Sequence, residues 1–262
     1  MLNTNTFDRM RKILGRLVHL VFGKRILLPC HLSKGTEASE LINRIIQLRN
    51  FKGYYLEVGV ENGLTFEAIQ LKYRVGVDPY PRFKVTPLTP WVTFHKLTSD
   101  VFFDLNNQFF DIIYLDGLHT AEQTLCDLHN SLKKLTRGGV VVIDDTVPND
   151  EYSALPDQKE TYRLRKLNNS SNDMSWHGDV YKVVNILQTL KHSNLNVATI
   201  ASLQNPKTVI WSDSETPTLF WEPEDYLEAL HQKDFKATFV GGIPSSFKPM
   251  QMQEFDEVFR KP

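Results

Sequence analysis

Cysteine is almost missing from this 262-residue chain: Cys30 and Cys126 are the only two, far apart and without metal-type spacing. Their scarcity excludes a disulfide framework and a thiolate metal cluster, and points to a reducing, cytoplasmic setting in which Cys126 is a small core residue. An excess of charge of one sign is missing too. Lys and Arg number 30 against 31 Asp and Glu, a net charge of −1, so no global basic field points to nucleic acid. Internal repeats and long low-complexity tracts are absent. What is present is ordinary for a globular protein: 41% apolar and 23% charged residues, in a chain long enough for one large domain with appendages.

Near the N-terminus, Met10, Ile13, Leu14, Leu17, Val18 and Val21 form an apolar stripe among Arg9, Arg11, Lys12, Arg16, Lys24 and Arg25. Arg16 and His19 break the run and no small-residue cleavage site follows, so it does not read as a signal peptide. It is also too short and too charged to cross a bilayer. Two readings of residues 1–35 stand. One is a helix packed on its own domain or on a second subunit of a homo-oligomer. The other is peripheral membrane contact through residues 1–25, lying on an anionic surface.

From residue 36 onward helix and strand signals alternate, the pattern of a doubly wound, Rossmann-like α/β fold with helices on both faces of a seven-stranded, mostly parallel sheet. Strands are expected at 54–58, 75–77, 91–94, 110–115, 140–143, 197–201 and 208–211. Ala38, Leu41, Ile42, Ile45 and Ile46 mark a helix before the first strand, and Leu64, Ala68 and Leu71 another after it. The best-defined helix opens on a Thr120/Gln123 capping-box pair, carries Ala121, Leu125, Leu128, Leu132 and Leu135, and stops at Arg137-Gly138-Gly139. Val183, Ile186, Leu187 and Leu190 suggest one more. The sheet domain is expected over 36–211, with a C-terminal extension over 212–262 in which Glu222 to Lys233 reads as helix and Pro244 to Pro249 as extended chain.

The most informative stretch is LEVGVENG at 56–63, followed by VGVD at 75–78. A buried strand runs into Glu57, and Gly59 and Gly63 bracket the turn into the next helix, where glycine permits positive φ and close approach of a ligand to the backbone. Asp78, ending the second strand, is placed to accept hydrogen bonds from two ribose hydroxyls; the alternative is a turn glycine beside a surface aspartate. A nicotinamide dinucleotide fold needs glycine at the second motif position, against the pyrophosphate. Here that position is Glu61, so a cofactor without phosphates is favoured. S-adenosylmethionine fits, with adenosine for Asp78 and a cationic methionine end for Glu57.

Asp78, Asp116 and the pair Asp144-Asp145 all end strands at the carboxyl edge, where open α/β sheets bind ligands. Carboxylates gathered there repel one another unless a cation joins them, and Asp116, Asp144 and Asp145 form an oxygen set suited to Mg²⁺. The alternative is that Asp116 caps a turn and Asp145 bonds backbone amides. His119 stands three residues after Asp116, beside the expected methyl donor. A neutral imidazole there would take the proton of an attacking hydroxyl, a contribution of about 10²- to 10⁴-fold.

LEVGVENG, VGVD, TSDVFF at 98–103, DIIYLDGLHTAEQTLCDL at 111–128, GGVVVIDDTVP at 138–148 and WHGDVYKVV at 176–184 together resemble the class I S-adenosylmethionine-dependent methyltransferases, over about residues 36–211. The nearest likeness is to the small branch associated with glycan and natural-product biosynthesis, and the DGLH segment is similar to that of macrolide-sugar O-methyltransferases. The resemblance implies that Glu57, Gly59 and Gly63 line the methionine end of the cofactor, that Asp78 holds the ribose, that Ser99 and Asp100 flank the adenine, and that Glu61, Asn62 and Asp116 also belong to the cofactor site. It implies Asp116 as a metal ligand and His119 as the base. Many relatives in this branch carry His-Asp where this chain has Asp144-Asp145, a departure toward the metal-dependent pattern.

Residues 146–180 form a long connection of the kind that serves as a lid over a substrate. Tyr152, Tyr162 and Trp176 offer faces for a sugar ring, and Arg163, Arg165 and Lys166 offer charge for an acidic sugar or a nucleotide diphosphate carrier; a solvated loop is the alternative. Asp179 and Lys182 either join the site or pair at a helix start. The expectation is an O-methyltransferase acting on a hydroxyl of a sugar or glycosylated small molecule. The rivals are a nicotinamide-dependent sugar oxidoreductase and a catalytically silent scaffold.

Overall fold

Tyr54 to Val58 forms the first strand because four consecutive residues, Tyr55 to Val58, are buried on both faces, which an apolar run achieves only in the middle of a covered sheet. The computed structural model describes residues 35–83, 90–168, 173–187, 189–190, 194–213, 221–232 and 234–260. The basic amphipathic stretch, Cys30, and residues 84–89 of the proline-rich loop after Asp78 lie outside the described residues. Among the described residues no helix is long and apolar enough to cross a membrane.

The elements run α1 (Glu37–Arg49), β1 (Tyr54–Val58), α2 (Leu64–Ala68), β2 (Tyr73–Val77), β3 (Val92–His95), α3 (Ser99–Leu105), β4 (Phe110–Leu115), α4 (Ala121–Leu132), β5 (Leu135–Ile143), α5 (Gln158–Asn168), α6 (Tyr181–Ile186), β6 (Leu195–Ile200), β7 (Lys207–Ser212), α7 (Leu227–His231), α8 (Phe235–Thr238), β8 (Pro249–Met250) and α9 (Met252–Phe259). The sheet order is β3-β2-β1-β4-β5-β7-β6-β8. Pairings from β3 through β5 are parallel, β7 is antiparallel to both β5 and β6, and β8 is parallel to β6. The strand order reverses between β1 and β4, so their carboxyl ends flank the crevice where this architecture binds ligands.

Alternate residues of the parallel strands feed two cores. Leu56, Ile113, Leu115, Val141 and Ile143 pack with Leu125, Leu128 and Leu132 of α4 and Val183 and Val184 of α6. Tyr55, Ile112, Tyr114, Val140 and Val142 pack on the other face with Leu41, Ile42 and Ile45 of α1 and Phe255 and Phe259 of α9. The Rossmann-like α/β reading therefore holds, with corrections of detail. Among the described residues there are eight strands, because the short β8 adds to the edge beyond β6. β8 and α9, which packs edge-on against Trp211, make the C-terminal residues continuous with the sheet and its core.

The α4 helix stops at Leu132, and Leu135 belongs to β5, where it pairs with Phe110 across from β4. The expected stop at Arg137-Gly138-Gly139 is instead inside that strand. Thr120 caps α4 by accepting from the Gln123 amide, but the Gln123 side chain turns away to Ser99, Asp100 and Asp127, so only half of the capping box forms. Leu71 lies outside α2, whose last turn ends in extended backbone at Ile69. Glu222 to Lys233 breaks into a 3₁₀ turn over Pro223–Tyr226 and α7, and the expected extended run near 244–249 contains a 3₁₀ turn over Ser245–Phe247 with Phe247 fully buried.

Candidate active site

Gly59 follows β1 with φ +84, and a Cβ built on it would come within 1.9 Å of the Asp116 carbonyl oxygen. Only glycine lets the turn after β1 and the end of β4 approach this closely. Glu61 and Gly63 also take positive φ, 45° and 81°, and the Asn62 side chain accepts from the Leu64 amide at the start of α2. Beside this turn opens a cavity of about 340 Å³, lined by Glu57, Gly59, Glu61, Asn62, Tyr114, Asp116, Asp144 and Lys207, with Thr36 to Ala38 and Gln204 at its far side.

Glu57 is buried and accepts a 2.6 Å hydrogen bond from Tyr55 Oη. Burial, reinforced by Asp116, pushes its carboxyl well above the usual carboxylate range. Asp78, expected to hold the ribose, has structural partners. It accepts from the amides of Val60 at 3.0 Å, Glu61 at 2.8 Å and Tyr80 at 2.7 Å. Two of the amides meet Oδ2 and one meets Oδ1. Asp78 buttresses the turn from outside the cavity lining. Ser99 and Asp100 also stay off the lining; both accept from Gln123 Nε2, at 3.2 and 2.9 Å, and tie α3 to α4.

The acidic cluster assembles at the ends of β4 and β5. His119, held at φ +56, places Nε2 3.1 Å from Asp116 Oδ1 and Nδ1 2.9 Å from Asp145 Oδ2. Each nitrogen faces a carboxylate oxygen, and Nδ1 also lies 3.2 Å from the Trp176 carbonyl oxygen. Burial alone would lower this imidazole's pKa, but Asp145 and Asp116 outweigh it and hold the pKa well above the usual histidine value. The two carboxylates thus favour the protonated form of His119 over the neutral imidazole expected from sequence. Asp116 is raised to about 7 by burial and by Asp144, against the lowering effect of His119. Asp145 goes the other way, to about 2, because His119, His177 and Asn205 outweigh its burial.

In the Asp116/Asp144/Asp145 set expected for Mg²⁺, Asp144 is already paired with a buried cation. Asp144 receives donors from Lys207 Nζ at 2.8 Å, Asn205 Nδ2 at 3.0 Å, the Asp145 amide at 2.8 Å, and Tyr114 Oη. Three of these converge on Oδ1, one of them a buried ammonium, and Tyr114 donates to Oδ2. Asp116, His119 and Asp145 do bring donor atoms within 4.8 Å of one another, but the imidazole already closes the gap between the two carboxylates.

The expected lid is partly helical, through α5. Arg165 is buried, bonded to Asp150 and to the carbonyls of Asp173 and Ser175, and so is closed to an acidic ligand. Arg163 pairs with Glu160. The Trp176 ring stacks on His119 at 4.8 Å and its Nε1 donates to the Leu155 carbonyl. Asp179 accepts from the Ala121 amide at 2.7 Å and pairs with Lys182 at 2.8 Å, which is the helix-start alternative. Tyr152 takes part through its carbonyl, which accepts from Thr161. None of Tyr152, Trp176, Asp179 and Lys182 lines the cavity.

Lys207 and Tyr114 are the site residues that sequence reasoning missed. Lys207 stands immediately before an apolar strand; recognising that strand as antiparallel would have placed its first residue at the carboxyl edge of its neighbours.

Residues 56–146 match a family described as a methyltransferase domain. No curated protein matches the chain. Among solved structures, the chain is similar to a putative O-methyltransferase from Klebsiella pneumoniae at 14% identity, covering 71% of this chain and 84% of that one, with a TM-score of 0.48. It is similar to an O-methyltransferase from Bacillus cereus in complex with SAH at 12% identity, covering 81% and 93%, TM-score 0.46. It is also similar to the O-methyltransferase TomG from Streptomyces achromogenes in complex with SAM, at 14% identity, covering 79% and 98%, TM-score 0.46. At such identities and scores no residue role is carried across.

Proposed function

We propose that the protein is an S-adenosylmethionine-dependent O-methyltransferase acting on a hydroxyl of a sugar or glycosylated small molecule. The observation that carries this is the cavity at the strand-order reversal, where the Gly59 turn and Asp116, which is paired with His119, face one space. The match of residues 56–146 to a methyltransferase-domain family supports it. Bound there, S-adenosylmethionine would supply a methyl group on a sulfonium. Glu57, Gly59 and Asn62 are the residues to hold its methionine end. Glu57, already desolvated, ionises most readily when a cation arrives.

The acceptor oxygen forms its bond to the methyl carbon as the carbon–sulfur bond breaks, and the hydroxyl proton goes to the protein. Asp116 is the member of the pair that lines the cavity, and its carboxyl titrates at about 7, so it takes that proton at neutral pH. His119 holds Asp116 in place and steadies its charged form. This shifts the base from His119, as first expected, to Asp116. Alignment of the hydroxyl with the methyl supplies most of the rate. The sugar acceptor rests on the likeness of the DGLH segment and on the half-exposed Trp176 beside His119. Mg²⁺ assistance would have to use Asp116, His119 and Asp145, and the transfer step as described needs no metal. The test is mass-spectrometric detection of methyl transfer to a panel of glycosides and their aglycones: methylated glycoside supports the reading, and cofactor binding with no product on any hydroxyl acceptor contradicts it.

A further inference from the structure

Lys207 begins β7, which runs antiparallel to β5 with Thr208 opposite Ile143, so its side chain arrives at the edge where Asp144 ends β5. Its ammonium is buried, 3% exposed, and sits 2.8 Å from Asp144 Oδ1 and 3.0 Å from the Asn205 carbonyl. The same side chain lines the cavity shared by Asp116 and Asp144. Asn205 and the Asp145 amide share Oδ1 of Asp144 with Lys207, and Tyr114 donates to Oδ2. An incoming divalent cation would have to displace a buried ammonium and then sit beside it, a repulsion that low local dielectric magnifies. His119 meanwhile occupies the space between Asp116 and Asp145 with both nitrogens.

We propose that Lys207 is the resident cation of this site, a positioning residue that neutralises Asp144 where the sequence pattern leads one to expect a metal, and that it makes the protein independent of divalent cations. Removing its charge then opens a metal site on Asp144 and Asp116. The proposal deepens the methyl-transfer reading, but its metal-binding test stands without that reading.

The test is Mn²⁺ titration of the full chain, read by loss of the free-ion electron paramagnetic resonance signal. The wild type is expected to take up no stoichiometric Mn²⁺, and Lys207→Met to take up one per chain, tighter by at least about tenfold, the scale on which neighbours of a metal site tune its affinity. Lys207→Arg keeps the charge and should behave as wild type. Lys207→Met with Asp144→Asn removes both buried charges and should lose the uptake again. Stoichiometric uptake by wild type that Asp144→Asn abolishes overturns the proposal, as does a folded Lys207→Met that binds no Mn²⁺. Should Lys207→Met fail to fold, the wild-type titration decides alone, absence of uptake supporting and stoichiometric uptake overturning. S-adenosylhomocysteine affinity measured in chelator and in Mg²⁺ should agree within about twofold; loss of that affinity in both would count against the methyl-transfer reading and leave the metal result standing.

Discussion

The Asp116 carbonyl oxygen occupies the place where a side chain at Gly59 would begin, 1.9 Å from a Cβ built there. The cofactor turn and the proposed base therefore share one backbone contact. Gly59→Ala must push the ends of β1 and β4 apart and hold alanine at φ +84, costing at least about 1–2 kcal/mol from the backbone conformation alone. A lower melting temperature together with at least about tenfold weaker S-adenosylhomocysteine binding is expected; unchanged binding would show that the turn does not meet the ligand.

His119 lies between two carboxylates, and the pH dependence of stability follows. With its folded pKa held above the usual 6.5, it stabilises the fold fully below 6.5 and loses that contribution as pH rises through the higher folded value. Asp145, depressed from 3.8 to about 2, contributes above 3.8 and loses its contribution as pH falls through about 2. Asp116, raised to about 7, works against the fold increasingly as pH rises from 3.8 to about 7. Asp145→Asn should bring the His119 titration down, as followed by its imidazole proton resonances. A wild-type His119 titrating at or below 6.5 would contradict the pairing.

Asp116 should set the pH profile of methyl transfer. kcat/KM is expected to rise with pH to a plateau above about 7, and Asp116→Asn to lower turnover by about 10²- to 10⁴-fold while leaving S-adenosylhomocysteine affinity within about threefold. An unchanged profile in the variant would remove Asp116 from the proton's path.

Arg165 fastens α5 to the 173–176 stretch that puts Trp176 over His119. Arg165→Met leaves Asp150 and two carbonyls without their donor, a cost of about 3 kcal/mol. The expected signs are a lower melting temperature and a changed tryptophan emission as the Trp176–His119 stack loosens. A variant as stable as wild type would mean that the strap is held elsewhere.

The alternation of apolar strands and helices made the fold legible, because parallel strands buried on both faces leave continuous apolar runs such as Ile112 to Leu115 and Val140 to Ile143. Leu135 escaped that reading, since a leucine three residues after Leu132 continues a helical stripe as well as it starts a strand. At the site, glycine spacing located the turn and the strand ends located Asp116, Asp144 and Asp145. The partners were not legible. Whether a carboxylate faces amides, as Asp78 does, an ammonium, as Asp144 does, or an imidazole, as Asp145 does, depends on residues up to 63 positions away, as for Lys207 and Asp144.

The central claim, that the cavity beside Gly59 takes the methyl donor, is tested most directly by calorimetry of the full chain with S-adenosylhomocysteine. The account predicts one site per chain in the micromolar range, about 1–100 µM, lost in Gly59→Ala. No binding heat and no rise in melting temperature at millimolar ligand would contradict it.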